Sequence, residues 1–430
     1  MGGDGLSVSL EKLEEIIGNF RVELRRGLAS EGAMLKALPT FISRLATGRE
    51  RGDFLVIDLG GSNLRVGCVV LRGDGTFALD RTKWSLPDEL RHAKGVVLFD
   101  FIAECVRTYL EGCPHDSLRV ALDGKPCYLG FTYSYPVRQE RLAHGVLIQW
   151  NKALACNDVI GLDVVRLLEE ALQRKDLGNI RVKALLNDTV GTLVAQAYAD
   201  ADTRIGVILG TGTNAAYVES TSMLSKLGSS IQNEKEMVIN VEWGAFGEGK
   251  PEYLPLTEVD RSVDAETVNP GKQPFEKMIS GMYLGEVARR CLLDADGGQR
   301  ITAAAFALDT ADLSAMEASD GECKKIMCQK LQWTDPTPLE VTRTRDICRG
   351  IVQRSARLCA AGIVALYRAI GAPKHRTVVA FDGSLYQYYP GYPRFLRGTL
   401  DELQPGHSME LQLAKDASMV GAAAVLARHA

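Results

Sequence analysis

No stretch of the 430 residues approaches the ~18 to 20 consecutive apolar positions that a membrane-spanning helix requires. The opening Met1-Gly2-Gly3-Asp4-Gly5-Leu6 has neither the basic region nor the apolar core of a secretory signal. Leu6 stands where a myristoylation signal carries Ser or Thr. Ten cysteines form no C-x-x-C and six histidines form no H-E-x-x-H, so zinc-ribbon, thioredoxin-like and zincin chemistry have no support. Neither sign of charge dominates: 50 basic against 54 acidic side chains leave −4, which argues against a nucleic-acid binder driven by bulk positive charge. Low-complexity tracts and short-period repeats are missing. G-x-x-x-x-G-K-[ST] is absent, removing the P-loop ATPases, and so are the V-A-I-K and H-R-D motifs of protein kinases. What is present, 46% hydrophobic and 24% charged residues, is the composition of a folded globular chain long enough for two to three domains. The expectation is a soluble cytoplasmic protein with reduced thiols.

From Ser9 to Phe20, residues Leu10, Leu13, Ile16, Ile17 and Phe20 share one stripe of a helix with Ser9 as N-cap. Arg51-Gly52-Asp53 reads as a turn, Phe54 to Asp58 as a buried strand, and Leu64 to Leu71 as a second strand. Helical periodicity returns from Val96 to Leu110. Strand-like and helical runs then alternate: 128–133, 162–173, 182–186, 189–198 and 205–209. Such alternation predicts an α/β fold. Asp309 to Thr337 is polar and weakly patterned and reads as a helical or loop insertion. Thr337-Pro338-Leu339-Glu340 is a capping box with proline at N1, opening a helix that runs to about Ile370. Ser418 to Arg428 is a small-residue helix.

Three glycine turns follow apolar strands: Asp58-Leu59-Gly60-Gly61-Ser62-Asn63, Leu209-Gly210-Thr211-Gly212-Thr213-Asn214 and Phe381-Asp382-Gly383-Ser384. Glycines there let the backbone bring N–H groups close to an anion. Ser62 and Asn63 add side-chain donors, and Asp58 is a candidate to hold Mg²⁺ through water. Gly210-x-Gly212-x-x-Ala215 matches the dinucleotide fingerprint formally, but that motif must open a helix, and Ala216 to Glu219 reads as a strand. An ordinary hairpin turn is the alternative at each site. Two strand–turn–strand units about 150 residues apart suggest a duplicated domain gripping a nucleotide between its halves.

The motifs then converge on one resemblance. Ile57 to Val66 resembles the first phosphate loop of the eukaryotic hexokinase and glucokinase family, and Gly130 to Val137 followed by Gly145 to Trp150 resembles its sugar signature. Leu186-Asn187-Asp188-Thr189-Val190-Gly191-Thr192 resembles its catalytic turn; Asn240 to Phe246 and Asn269 to Lys277 resemble further sugar contacts. The likeness spans nearly the whole chain. It implies a two-lobed actin-like (ribonuclease H-like) ATPase fold with a deep cleft, its smaller lobe 47–187 plus 414–430 and its larger lobe 1–46 plus 188–413.

By the same resemblance Asp188 is the general base that takes the proton of a sugar hydroxyl, a role contributing about 10² to 10⁴ in rate. Taken alone, Asp188 reads equally as a helix N-cap. Ser134, Asn151, Lys152, Asn187, Asn214, Glu242 and Glu276 are the implied sugar contacts; the planar amides and carboxylates of Asn187, Asn214, Glu242 and Glu276 suit several hydroxyls at once. Gly60, Gly61, Ser62, Asn63 and Arg65, with Gly210, Thr211, Gly212 and Thr213, are assigned to the ATP phosphates, and Gly383 and Ser384 to the adenosine. Mg²⁺ follows from the reaction class. The expected activity is transfer of the γ-phosphoryl of MgATP to the 6-hydroxyl of glucose.

Two segments depart from the family pattern. Trp150-Asn151-Lys152-Ala153-Leu154 replaces Trp-Thr-Lys-Gly-Phe, and Asp416-Ala417-Ser418-Met419 replaces Asp-Gly-Ser-Gly. They keep two alternatives open: a preference shifted to an amino or N-acetyl hexose, and a sugar-sensing paralogue with little turnover.

Overall fold

The computed structural model describes residues 6–150, 154–231, 233–297 and 301–429. Its strands, in chain order, are β1 (Leu38–Pro39), β2 (Arg51–Leu59), β3 (Asn63–Arg72), β4 (Phe77–Ser85), β5 (Cys127–Tyr133), β6 (Val137–Arg141), β7 (His144–Leu147), β8 (Ile180–Leu186), β9 (Thr203–Leu209), β10 (Thr213–Ser220), β11 (Glu236–Asn240), β12 (Thr377–Asp382) and β13 (Met409–Leu413).

One sheet has the order β4-β3-β2-β5-β8 and the other β1-β11-β10-β9-β12-β13; β6 and β7 form a separate hairpin. In the first, β2 pairs antiparallel with β3, β3 antiparallel with β4, and β2–β5–β8 run parallel. In the second, β9 pairs antiparallel with β10, β10 antiparallel with β11, and β9–β12–β13 run parallel. The same five-strand topology therefore occurs twice, as the paired strand–turn–strand units suggested. The inner stretch Leu55-Val56-Ile57-Asp58-Leu59 of β2 is buried throughout rather than alternately, because helices cover both faces of a central strand in such sheets.

The helix Asp188–Ala199 leaves β8 of the first sheet but packs on β9, β10 and β12 of the second. The helix Ala417–His429 leaves β13 of the second sheet but packs on β2, β5 and β8 of the first. The two helices cross at Gly191 and Gly421, where a Cβ on Gly421 would lie 2.3 Å from the Gly191 carbonyl oxygen. Side chains at that point would force the sheets apart. The outer face of the first sheet is closed by the helices Gly95–Gly112 and Val164–Arg174. The second sheet's outer core includes the helices Leu10–Ala29 and Pro338–Ala369.

Local signals account for most boundaries. The Ser9 hydroxyl accepts from Lys12 N, and Thr337 with Glu340 closes a capping box with Pro338 at N1. Two readings need correction. Arg51-Gly52-Asp53 is the exposed start of β2 and pairs with Arg72, Leu71 and Val70. The first helix runs on past Phe20 because Leu24 and Leu28 prolong its buried stripe. The polar 309–337 stretch, expected as a helical or loop insertion, is helical: Thr310–Ala318 and Asp320–Gln329 are both capped and bury Leu313, Met316, Cys323, Ile326 and Met327. All ten cysteines are free. No helix among the described residues is long and apolar enough to cross a membrane.

Candidate active site

The strands β2, β9 and β12 end at the three glycine turns. In the first sheet, Asp58 pairs with Arg65 and Leu59 with Leu64, so Gly60 to Asn63 closes a tight hairpin, with Gly60 N donating to Asn63 O at 2.9 Å. In the second, Leu209 pairs with Thr213, and Gly210 N donates to Gly212 O at 3.0 Å. The strand that continues from Thr213 to Ser220 rules out the dinucleotide reading of Gly210-x-Gly212.

The outward carbonyls of both turns are occupied. Gly60 O accepts from the Tyr135 hydroxyl at 3.3 Å and Ser62 O from Leu86 N at 3.0 Å. Gly210 O accepts from Gly281 N at 2.8 Å and Thr211 O from Met282 N at 3.1 Å, at the first turn of the helix Gly281–Asp296. The N–H groups of Gly61, Ser62, Thr211 and Gly212, by contrast, make no hydrogen bond among the described residues. Four donors without a partner among the described residues, on two glycine turns, fit the oxygens of a polyphosphate. Of the assigned phosphate and adenosine glycines only Gly383 has positive φ (116°). A Cβ there would lie 2.3 Å from Leu209 O, so the third turn is pressed against the second.

Asp188 is the first residue of its helix; the cap is Asn187, whose side chain accepts from Thr189 N at 2.9 Å. The N-cap alternative for Asp188 is thereby corrected. Its Oδ1 accepts from Thr189 N at 2.8 Å and from the Thr189 hydroxyl at 3.2 Å, which orients the half-buried carboxylate. Its charge acts on Asp58, Asp382 and Tyr135, so these groups surround one space.

Asp58 is buried and its Oδ2 accepts from Arg65 Nη1 at 2.5 Å and from Ser418 Oγ at 2.8 Å. Burial raises its pKa above the usual carboxylate range, against the opposing charge of Arg65. Arg65, assigned to phosphate, thus pairs with Asp58, and Asp58, assigned to a hydrated Mg²⁺, clasps its own hairpin to the C-terminal helix. Asp382 is likewise pushed up, first by burial and then by the charges of Asp188 and Asp58, while its Oδ1 accepts from Gly383 N at 2.6 Å. Three carboxylates crowded this way favour a cation in their midst, yet no set of three metal-ligating side chains forms a cage among the described residues. An ion arriving with the polyphosphate fits better than a resident one.

The sugar-contact candidates gather on the other side. The β10–β11 register pairs Ala216 with Asn240, which carries Asn214 opposite Glu242. Asn214 Nδ2 donates to Asn240 Oδ1 at 2.8 Å and to Glu242 Oε1 at 3.2 Å, and Asn240 Nδ2 donates to Glu242 Oε1 at 2.9 Å. Glu242 is 8% exposed and takes φ 57°, a left-handed kink that turns it out of the strand direction. Glu276 Oε2 accepts from Thr213 N at 3.0 Å, so a sugar candidate is bonded to the phosphate turn. Thr213 is further held by Trp243 Nε1, which donates to its hydroxyl at 3.0 Å. Ser134 is buried just beyond β5, its N–H donating to Leu59 O at 3.1 Å. Ser384 is exposed at the start of a short helix after Gly383. Asn151 and Lys152, with Ala153, lie outside the described residues.

Sequence reasoning missed Asn240, Asp382, Ser418 and Tyr135 as parts of this constellation. Asn240 carried a signal, the i, i+2 spacing to Glu242 that puts both on one face of an extended chain. Asp382 stood in a quoted turn without a role. Ser418 stood in the quoted Asp416 to Met419 segment without a role, and it meets Asp58 across 360 residues of chain.

Comparison with known proteins agrees along the full length. Two family models, each described as hexokinase, match residues 4–198 and 204–428. The chain is 39% identical to Hexokinase-7 of Oryza sativa subsp. japonica, covering 97% of this chain and 94% of that one. It is 38% identical to Hexokinase-1 of Spinacia oleracea, covering 99% and 89%. Among solved structures, a hexokinase from Schistosoma mansoni complexed with glucose superposes with TM-score 0.88 at 33% identity, covering 99% of this chain and 96% of that one.

Proposed function

The chain belongs to the hexokinase family and is a hexose kinase, and from that premise we propose that it moves the γ-phosphoryl group of ATP to the 6-hydroxyl of glucose, the entry reaction of glycolysis, with Asp188 as general base. The observation that carries this reading is the oriented Asp188 carboxylate in company with two turns bearing four unbonded N–H groups.

The sugar is held by Ser134, Asn151, Lys152, Asn187, Asn214, Glu242 and Glu276, whose amide, carboxylate, hydroxyl and ammonium groups pair with neighbouring hydroxyls. Asn240 fixes the amide of Asn214 and the carboxylate of Glu242, so the site is set before the sugar arrives. Asp188 accepts the proton of the 6-hydroxyl while that oxygen forms its bond to the γ-phosphorus, and the bond from phosphorus to the bridging oxygen breaks, leaving ADP. The N–H groups of Gly61, Ser62, Thr211 and Gly212 receive the phosphate oxygens. Mg²⁺ bound with ATP supplies charge neutralisation, and Asp188 and Asp382 are the carboxylates suited to hold its waters. Residues 47–187 with 414–430 form the smaller lobe and 1–46 with 188–413 the larger; their closure excludes water, which otherwise competes as phosphoryl acceptor. We place the reaction in the cytoplasm, the compartment free thiols favour. Imaging of the tagged chain tests that against the plastid indicated for a similar protein, the chloroplastic Hexokinase-2 of Nicotiana tabacum.

The test is ADP release with MgATP against glucose, mannose, fructose, glucosamine and N-acetylglucosamine. Turnover on glucose is expected. Turnover confined to the substituted sugars would overturn the substrate and point to Asn151, and turnover unchanged in Asp188→Ala would overturn the base.

A further inference from the structure

Ser134 and Tyr135 follow directly on β5, where Tyr133 is paired with Leu59 at the end of β2. Tyr135 is fully buried, yet it is tied to three parts of the site. Its backbone continues the turn that carries Ser134, with Tyr135 N donating to Tyr133 O at 2.9 Å. Its ring meets Trp150 edge-on at 4.7 Å, and Trp150, anchored by its Nε1 to Cys156 O at 2.9 Å, leads into residue 151. Its hydroxyl donates to Gly60 O at 3.3 Å. Burial, then the charges of Cys156 and Asp188, push that hydroxyl above its ordinary pKa, so it stays a donor.

We propose that the Tyr135 hydroxyl is a positioning group that couples the sugar turn to the first phosphate turn, so that each ligand raises the affinity for the other. The inference rests on the sugar and phosphate roles given above to Ser134 and to Gly60 to Asn63. A carbonyl rotated into the cleft would repel phosphate oxygens. The hydroxyl keeps the Gly60 carbonyl turned away, and movement of the Ser134 turn is passed to it through one rigid ring. Tyr133 supplies an internal control: its hydroxyl is equally buried but has no hydrogen-bond partner among the described residues.

Tyr135→Phe keeps the ring and removes the bond; Tyr133→Phe removes a hydroxyl without a bond. Calorimetry would measure the dissociation constant of a non-hydrolysable ATP analogue with and without saturating glucose, and the reverse ratio for glucose. In Tyr135→Phe the mutual gain should fall about two- to tenfold, equally in both directions, as loss of one neutral hydrogen bond in a linked pair requires. KM for MgATP should rise by a similar factor, with KM for glucose at low nucleotide unchanged and the thermal midpoint lowered by no more than about 3 °C. Tyr133→Phe should leave the gain as it is. An unchanged gain in Tyr135→Phe, an equal fall in Tyr133→Phe, or no gain in the wild-type protein would overturn the coupling. Absence of hexose turnover would instead overturn the proposed reaction, while the two binding ratios still decide the coupling.

Discussion

The hairpin turns at Gly60 to Asn63 and Gly210 to Thr213 close the same strand pair in two copies of one sheet, but they are held by different groups. The first is latched mainly by side chains: the Tyr135 hydroxyl on Gly60 O, and Arg65 and Ser418 on Asp58. The second is latched mainly by backbone: Gly281 N, Met282 N and the close approach of Gly383, with Glu276 adding one carboxylate. Backbone contacts are nearly independent of side-chain identity, whereas every side-chain latch can be altered by one substitution. The second copy is therefore a fixed platform and the first an adjustable one.

The comparison is sharpened first at the segment following each sheet's last strand. Asp188 begins the helix after β8, and the carboxylate nearest the start of the helix after β13 is Asp416, which immediately precedes it and forms an ion pair with Arg81 at the surface. Asp188→Ala should cut kcat about 10² to 10⁴-fold, with unchanged circular dichroism because Asn187 still caps the helix. Asp416→Ala should change kcat less than about threefold, an exposed pair being worth at most about 1 kcal/mol. Comparable losses in the two variants would break the asymmetry.

Two buried Asp–Arg pairs give the next contrast. Asp260 is held by Arg354 through bonds of 2.7 and 2.8 Å, both partners being nearly inaccessible. Burial would raise its pKa, but the charge and bonds of Arg354 and those of Thr257 lower it overall. Asp260→Asn strands a buried guanidinium and should cost about 3–5 kcal/mol in urea unfolding. Asp58 has the opposite shift, because its partner Arg65 is one-third exposed and binds one oxygen only. Asp58→Asn should leave stability at pH 7 unchanged or raised; a loss comparable to that of Asp260→Asn would refute the contrast.

The pH dependence follows with sign. A depressed carboxylate contributes stability above its unfolded pKa of about 3.9 and loses it as pH falls through the folded value, so Asp260 supports the fold at neutral pH and yields only in acid. A raised carboxylate contributes stability below its unfolded pKa and loses it as pH rises through the folded value. The thermal midpoint of Asp58→Asn relative to wild type should therefore improve between pH 4 and pH 7, and a falling difference would contradict the assignment.

The two turns themselves differ in how much a methyl group costs. Gly383→Ala meets Leu209 O and a positive φ together and should cost about 2–4 kcal/mol, with weaker ATP binding. Gly60→Ala meets nothing nearer than Asn63 O at 3.6 Å and should cost under about 1 kcal/mol. Differential scanning calorimetry on the two variants would rank them, and a reversed order would show that the first turn is the rigid one.

Much of this was legible along the chain. Alternating strand and helix runs, the capping box at Thr337 and the three glycine turns each depend on neighbours within a few residues, so their physics is local. The polar 309–337 stretch was legible only as helix or loop, because Asp309 and Ser319 cap two short helices whose few apolar residues are buried only by tertiary packing. The role of Asp58 was not legible either, since residue type alone allows a carboxylate to face a metal or an arginine.

By itself the sequence determined which chemistry was available: a carboxylate after β8 to take a proton, amides and carboxylates to bind hydroxyls, glycine turns to approach phosphates. Those capacities belong to the residue types. Only the tertiary structure decided the partners. It placed Ser418 on Asp58, Glu276 on Thr213 and the Tyr135 hydroxyl on Gly60, contacts made when two copies of one sheet close around a pair of crossed helices. Such pairings depend on distances between segments remote in the chain, which no local pattern of residues encodes.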